Sequence, residues 1–197
     1  MPLRPDQLGA ALQQSLQGIY LISGDETLLV QEACDAVLQK AREQGFTERS
    51  IHHVETGFKW HDVTHDAASM SLFAERKVLD LRIPAGKFDK EGGQVLRDWA
   101  DGSVGNPDTL LLIRTERLQP RQRSSAWFKA LEGAGTVVLI WPLAPRELPP
   151  WLEKRLQAKG LTLEPQALQA LAERVEGNLL AAAQEVEKLA LQNLAQP

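Results

Sequence analysis

The sequence predicts an α/β protein, in which a parallel five-stranded sheet with helices on both faces is followed by a small all-helical domain. Five short apolar runs alternate with segments of helical periodicity, which is the order expected of a parallel sheet. Most of these runs are unbroken, as in strands that are buried on both faces. After residue 142 strand-like runs do not return, and three helical segments follow.

The strands are predicted from apolar runs and from the residues that stop them. They cover residues 19–22, 50–55, 78–83, 109–113 and 136–141. Ser23 and Gly24 close the first run. Pro84 stops the third, because proline lacks the N–H that the hydrogen-bond ladder of a central strand needs. The fourth run is the most apolar, which predicts a strand at the centre of the core.

The helices are predicted from apolar residues that recur every three or four positions. In the first domain they cover residues 5–17, 27–44, 60–73 and 94–100, and a further helix begins after Ser124 or Ser125. Gly45 ends the second helix, because glycine tolerates a positive φ. Residues 89–93 are predicted as a turn. Cys34 lies on an apolar helix face, which indicates packing rather than a reactive thiol.

A change in composition marks a domain boundary. Four prolines occur within nine residues: Pro142, Pro145, Pro149 and Pro150. We therefore expect an α/β domain over residues 1–142 and a helical domain over residues 143–197. The helical segments of the second domain cover residues 148–160, 164–176 and 178–195, separated by Gly160 and Gly177. The last helix ends soon after the boundary, which suggests a fragment of a longer protein.

Composition narrows the class of protein. The chain has 197 residues, of which 43% are hydrophobic and 24% are charged, as in ordinary globular proteins. A net charge of −4 gives no global attraction to nucleic acid, so any DNA contact must come from a local patch. One cysteine suits a reducing cytoplasm. No apolar run is long enough to predict a membrane span or a secretion signal.

An α/β domain followed by a helical one is the layout of nucleotide-driven machines, but the phosphate-binding residues are missing. A P-loop after the first strand would read G-x-x-x-x-G-K-[ST]. Counted from Gly24, the positions of the second glycine, the lysine and the hydroxyl residue hold Leu29, Val30 and Gln31. Asp25 and Glu26 stand at the positive end of the following helix, where they would repel a triphosphate. The sequence therefore predicts no bound nucleotide.

A magnesium-binding acid is missing as well. Such an acid should follow the fourth strand, but Arg114 occupies that position. His61 and His65 have the spacing of a zinc-binding pair, but no third ligand accompanies them, so we expect a solvated polar face and no metal. No serine or cysteine occupies a nucleophile motif, so no catalytic residue is predicted.

A basic cluster follows the fourth strand and consists of Arg114, Arg117, Arg121 and Arg123. Arginines in a loop between a strand and a helix suit a phosphate backbone or an acidic protein partner. The alternative is a solvated loop whose charge Glu116 partly neutralises.

The stretch over residues 67–74 carries the clearest signal for a partner. Trp60, Val63, Ala67 and Met70 recur on one face of the predicted helix, so Leu72 falls opposite them and Phe73 at about a right angle. Two bulky apolar side chains would then point away from the core, as in a binding plug. The alternative is that the helix stops at Met70 and the pair folds inside.

These residues together resemble the delta subunit of the bacterial DNA polymerase III clamp loader. The most specific matching segments are Tyr-Leu-Ile-Ser-Gly-Asp at 20–25, Met-Ser-Leu-Phe-Ala at 70–74, Ala-Trp-Phe-Lys-Ala-Leu at 126–131 and Glu-Gly-Asn-Leu-Leu-Ala at 176–181. The resemblance implies an AAA+ (RecA-like) fold with a decayed nucleotide site and a helical lid domain. In active relatives an arginine that senses the γ-phosphate begins the lid helix, and Leu180 holds that position here.

The resemblance also implies partners and roles. Leu72 and Phe73 would insert into a pocket of the sliding clamp, supported by Met70, and Ser71 would be part of the same clamp-binding stretch. The protein would promote ring opening during loading onto primed DNA, as an accessory subunit of the polymerase that works beside the tau/gamma and delta prime subunits. It would need no cofactor, and the collar domain of the family is absent. The alternative function is that of a DNA-binding AAA+-like adaptor that acts through the basic loop over residues 114–123.

Overall fold

A computed structural model describes residues 1–69, 75–84, 87–175 and 177–194. The chain divides into two compact units, Met1–Trp141 and Pro142–Pro197. The division falls one residue before the boundary expected from the proline cluster.

The first unit is built on one five-stranded sheet within the described residues. Its strands are β1 (Ile19–Gly24), β2 (Phe46–His53), β3 (Arg76–Ile83), β4 (Thr109–Thr115) and β5 (Thr136–Ile140). All neighbours pair in parallel, in the order β2-β3-β4-β1-β5. The predicted α/β class with a parallel five-stranded sheet is therefore confirmed.

Helices cover both faces of this sheet. They are α1 (Pro5–Gln14), α2 (Thr27–Glu43), α3 (Trp60–Ala68), α4 (Lys90–Ala100), α5 (Pro120–Arg123) and α6 (Ala126–Ala134). On one face, α3, α4 and α6 pack their aromatic and aliphatic residues on alternate residues of the strands, among them Leu79 and Leu81. On the other face α2 packs against β1, β2 and β4. Burial on both faces explains why the central strands are unbroken apolar runs.

The edge strand β2 differs from the prediction. It begins at Phe46, four residues earlier than expected, and ends at His53. Since β2 pairs only with β3, it has one strand neighbour, and its residues alternate between half-buried and exposed after the buried Phe46. A strand of this kind lacks the continuous apolar run that marks the central strands, which is why its start was misplaced.

The helix α4 also begins earlier than predicted. Asp89 is its N-cap, and the Oδ1 atom accepts a hydrogen bond of 2.7 Å from the N–H of Gly92. A Cβ atom on Gly92 would lie 2.2 Å from the indole of Trp60, and one on Gly93 would lie 3.2 Å from Trp127. The two glycines therefore mark close packing inside a helix, and the turn predicted over residues 89–93 is wrong.

The second unit consists of helices and the short connections between them within the described residues. A short 3-10 turn (Pro145–Glu147) leads into α7 (Leu148–Ala158), which is followed by α8 (Pro165–Val175) and α9 (Leu179–Leu194). Its core joins one face of each helix and includes Leu152, Leu156, Ala172 and Val186. Gly160 and Gly177 adopt positive φ angles of 72° and 77° between the helices. Within the described residues, no helix is long and apolar enough to cross a membrane.

Candidate functional site

The turn after β1 does not have the contacts of a phosphate-binding loop. A Cβ atom on Gly24 would lie 2.6 Å from both the Cβ and the carbonyl oxygen of Ile140, so the closeness of β5 requires glycine here. Leu29 is buried on the inner face of α2, and Val30, which follows it, is half-buried. The Gln31 amide donates to Asp35 and accepts from Arg114. The four residues at the P-loop positions are thus used in packing and in side-chain pairing.

A cavity of about 320 Å³ lies at the carboxyl edge of the sheet. Residues at the ends of β1, β2, β3 and β4 line it, including Gly24, His53, Arg82, Arg114 and Glu116. The strand order changes direction at β1. The chain leaves β1 through α2 toward β2 on one side of it, whereas β5 lies on its other side. Ligands of open α/β sheets bind at such a point. This cavity is therefore the place where a nucleotide would be sought.

A buried ion-pair network stands beside this cavity and centres on Asp80 of β3. The Asp80 side chain is fully buried. Arg114 donates to it through two hydrogen bonds of 3.0 Å, from Nε to Oδ1 and from Nη2 to Oδ2. Arg49 of β2 binds the Oδ2 atom from Nε at 3.1 Å and also from Nη2. Arg82 Nε lies 3.8 Å from the same oxygen.

This network corrects the role expected of Arg114. Its side chain is only 12% exposed and is turned onto the sheet, so it does not belong to the basic loop. Sequence reasoning missed Asp80, although a lone carboxylate inside an apolar run was a signal that a buried cation would accompany it. Arg49, whose strand was misplaced at its start, could not be assigned as that cation.

Cys34 of α2 lies under the same face of the sheet. It is fully buried, and burial raises the pKa of its thiol to about 11. The reactive thiolate is therefore scarce at neutral pH, in keeping with the predicted packing role.

Two of the other three arginines of the basic cluster lie over a tryptophan ring. The Arg117 guanidinium lies over the Trp141 ring at 4.7 Å from its centroid, and that of Arg123 lies at 5.4 Å. Arg121 is exposed on α5, between the two in sequence. Trp141 directly follows β5 and is 42% exposed. The structure thus brings Arg117 and Arg123 together and separates Arg114 from them. We call Arg117, Arg121, Arg123 and Trp141 the arginine–tryptophan cluster.

The residues of the expected binding plug, Met70, Ser71, Leu72 and Phe73, lie outside the described residues. The helix that was to carry them ends earlier than predicted. α3 stops at Ala68, and Ser69 follows with extended backbone angles (φ −72°, ψ 126°). The helix predicted over residues 60–73 is therefore wrong at its C-terminal end, and a helical wheel does not give the direction of Leu72 or Phe73.

A buried lysine holds the end of α3, immediately before that segment. Lys77 of β3 is 5% exposed. Its Nζ atom donates to the backbone oxygen of Ser69 at 2.8 Å, to the Oδ1 atom of Asp66 at 3.1 Å, and to the backbone oxygen of Asp66. A cation suits this position, because the carbonyl groups at a helix C-terminus carry partial negative charge.

Asp66 connects this lysine to the edge strand. Its Oδ2 atom lies 2.8 Å from Nε2 of His52. Burial raises the pKa of Asp66, but hydrogen bonds from His52, Lys77 and Ser50 outweigh burial, so the pKa lies below its ordinary value. Lys77 thereby joins Ser69, which precedes the 70–74 segment, to the start of β3, which follows it.

His61 and His65 are exposed on α3, and their ring centroids are 6.1 Å apart. Across the described residues, no group of three or more histidine, cysteine, aspartate and glutamate side chains is placed to hold a metal ion.

Solved structures resemble this fold. The Bacillus subtilis DNA clamp loader delta protein superimposes with a TM-score of 0.73 at 20% identity, over 98% of this chain and 58% of that one. A mutant RuvB of Thermotoga maritima superimposes with a TM-score of 0.50 at 15% identity, over 91% of this chain and 57% of that one. The parallel sheet and the helical unit after it thus have the fold of these structures, which is the AAA+-like (RecA-like) fold that the resemblance implied.

The family follows from sequence comparison. A family model described as DNA polymerase III, delta subunit, matches residues 20–140, and another, described as a middle domain, matches residues 144–195. The DNA polymerase III subunit delta of Escherichia coli K12 is 35% identical over 96% of this chain and 54% of its own length. That of Haemophilus influenzae is 31% identical over 95% and 54%. The chain belongs to the DNA polymerase III delta subunit family and spans about half the length of these relatives.

Proposed function

We propose that this chain is the clamp-binding part of a clamp-loader delta subunit. It binds the sliding clamp through Met70, Ser71, Leu72 and Phe73 and promotes opening of the ring for loading onto primed DNA. It neither binds nor hydrolyses ATP itself. The observation that carries this proposal is the match of residues 20–140 to the delta subunit family. In the full-length protein the tau/gamma and delta prime subunits are its further partners, and it serves the polymerase as an accessory subunit.

The anchoring of the flanking residues supports a binding role for the 70–74 segment. Lys77 ties the end of α3 to the start of β3, so the elements on either side of the segment are joined to each other. A binding segment held at both ends loses less conformational entropy on docking than a free one. These ends lie at the amino edge of the sheet, opposite the cavity at the carboxyl edge.

Energetics require more than two side chains. Burial of Leu72 and Phe73 in an apolar pocket contributes about 1.5–3 kcal/mol each. Lost rigid-body freedom costs several kcal/mol, so the pair alone gives weak binding, and the exposed side of α3 must add contact area. Ring opening needs a further feature, because a ligand shifts an equilibrium only by its different affinity for the two states. We infer that this neighbouring surface fits the open clamp better than the closed one.

The proposal that the chain does not turn over nucleotide rests mainly on residues at the carboxyl edge of the sheet. Val30 stands where the P-loop lysine would be, Asp25 and Glu26 occupy the start of α2, and Arg114 is committed to Asp80. Leu180 at the start of α9 is exposed and cannot take the place of a phosphate-sensing arginine. A triphosphate would meet negative charge where it needs backbone N–H groups.

The test is a titration calorimetry series with the purified sliding clamp. The variant Leu72→Ala/Phe73→Ala should lose clamp binding, while its unfolding temperature stays close to that of the wild type. A matched control, Leu180→Ala/Leu191→Ala, removes two exposed apolar side chains of the helical unit and should bind normally. A large fall in unfolding temperature for the first variant would mean that the pair is core and would overturn the clamp-binding role.

Titration calorimetry also tests the proposal that the chain does not bind ATP. ATP with magnesium, titrated into the wild-type chain, should give no binding heat. Micromolar affinity for ATP would contradict a decayed site and would leave the clamp result unaffected.

A further inference from the structure

The arginine–tryptophan cluster carries positive charge that the described protein does not neutralise. None of the guanidinium groups of Arg117, Arg121 and Arg123 forms an ion pair or a side-chain hydrogen bond within the described residues. The Nε atom of Arg123 is buried with no hydrogen-bond partner. By contrast Arg49 and Arg114, on the same unit, are fully engaged with Asp80. The guanidinium groups of Arg117 and Arg121 and the terminal N–H groups of Arg123 are thus available to an external anion.

Two carboxylates near the cluster do not neutralise it. Asp25 accepts a hydrogen bond of 2.9 Å from the backbone N–H of Arg117, which occupies its Oδ1 atom. Glu116 is exposed and precedes Arg117 in the chain, but it forms no ion pair with any of the three arginines. Both carboxylates lower the local positive potential, but neither forms an ion pair with the three guanidinium groups within the described residues.

Stacking on Trp141 fixes the direction in which the arginines can bind. A guanidinium group over an indole uses its face, so the N–H groups at its edges remain free for acceptors. Those edges match the paired oxygens of a phosphate group. Because the indole holds Arg117 and Arg123 in place, less side-chain entropy is lost when an anion binds.

We propose that the arginine–tryptophan cluster is a contact site for single-stranded nucleic acid. The arginines bind successive phosphates, and the exposed 42% of Trp141 offers an aromatic surface for a base. An acidic protein segment would satisfy the arginines but would leave this aromatic surface without a partner of its own. This surface is distinct from the 70–73 segment, and the inference does not depend on clamp binding.

The experiment measures the fluorescence anisotropy of a labelled thymidine oligonucleotide, titrated with the full chain over a range of salt concentrations. The variant Arg117→Glu/Arg121→Glu/Arg123→Glu should bind at least about tenfold more weakly at low salt. Its slope of log affinity against log salt should be smaller by about 2, since each phosphate contact to a single strand contributes about 0.7. Trp141→Ala should also weaken binding, through the lost stacking surface.

The matched control is Lys87→Glu/Lys90→Glu/Arg97→Glu, which changes the net charge equally at three exposed positions around α4. It should bind the oligonucleotide like the wild type. Arg121→Glu alone, at an exposed side chain with no hydrogen bond or ion pair to the described residues, keeps the test valid should the triple variant fail to fold.

Four outcomes would overturn the inference. The first is that the wild type does not bind the oligonucleotide at low salt, and the second is that the Arg121→Glu and triple variants bind it with wild-type affinity. The third is that the control variant loses as much affinity as the triple variant. The fourth is that a glutamate-rich peptide binds more tightly than the oligonucleotide. The last result would assign the cluster to an acidic protein partner. Clamp binding by the triple variant is measured in parallel. This measurement distinguishes failure of the nucleic-acid inference from failure of the proposed clamp-binding role.

Discussion

Two buried charges lie three residues apart on β3 and face opposite sides of the sheet. Asp80, on the α2 side, is surrounded by guanidinium groups, whereas Lys77, on the α3 side, is surrounded by oxygen atoms. The Asp80 network joins strands to one another near the carboxyl edge. The Lys77 network joins a helix end to a strand at the amino edge. One stabilises the sheet where a nucleotide would bind in an ATPase, and the other holds the base of the proposed clamp-binding segment.

The largest effect is expected from removal of the Asp80 carboxylate. Asp80→Ala leaves Arg49 and Arg114 close together with no anion between them, which should cost about 3 kcal/mol or more of unfolding free energy. The unfolding temperature of a chain of this size should fall by about 10 °C. Thermal and urea unfolding measure both quantities. Asp35→Ala, at an exposed carboxylate of α2, is the control and should change little. A neutral result for Asp80→Ala would remove the structural role of this network.

A smaller effect is expected at the other end of the strand. Lys77→Met keeps the length of the side chain but leaves the oxygens of Asp66 and Ser69 without their donor, at a cost of about 2 kcal/mol. Hydrogen exchange in the last turn of α3 should accelerate more than exchange in the central strands.

The control for this change is Lys90→Met, at an exposed lysine of α4. If exchange accelerates uniformly across the unit in Lys77→Met, the lysine supports the whole core and has no special role at the end of α3. Clamp affinity of the variant should fall further than its stability predicts, if the lysine positions the binding segment.

The smallest effect is a pH dependence that comes from Asp66. Its pKa is lower in the folded chain than in the unfolded one, so the unfolded state binds more protons as the pH falls. The stabilisation from Asp66 is present above the unfolded pKa of about 4 and is lost as the pH falls through the folded value. Between pH 6 and acid, we expect the wild type to lose more unfolding free energy than Asp66→Asn. Parallel curves for the two proteins would show that Asp66 contributes nothing to this loss.

The central strands were predictable because burial on both faces leaves a signal in each residue. β1, β4 and β5 were placed within two residues at each end from their apolar runs alone. Gly45 ends α2 with a φ of 88°, as expected of a residue that tolerates this conformation. Ser125 caps α6, and its Oγ atom accepts from the N–H of Phe128. These features depend on residues that are close together in the chain, so a single sequence is enough to predict them.

Features that depend on distant partners were not predictable. Gly92 reads as a turn residue until Trp60 is seen against it. Arg114 reads as a loop arginine because Asp80 is far away in sequence and only the parallel pairing of β3 with β4 brings them together. The end of α3 at Ala68 depends in the same way on Lys77, which follows it in the chain.

The position of β1 between β4 and β5 has a consequence for the growing chain. β1 leaves the ribosome well before its two neighbours, β4 and β5, which begin only at Thr109 and Thr136. β2 and β3 can pair with each other earlier, so the edge of the sheet precedes its centre. Until translation has passed the fourth strand, the apolar residues of β1 are without a strand partner, and exposed apolar segments are the ones that aggregate or recruit chaperones.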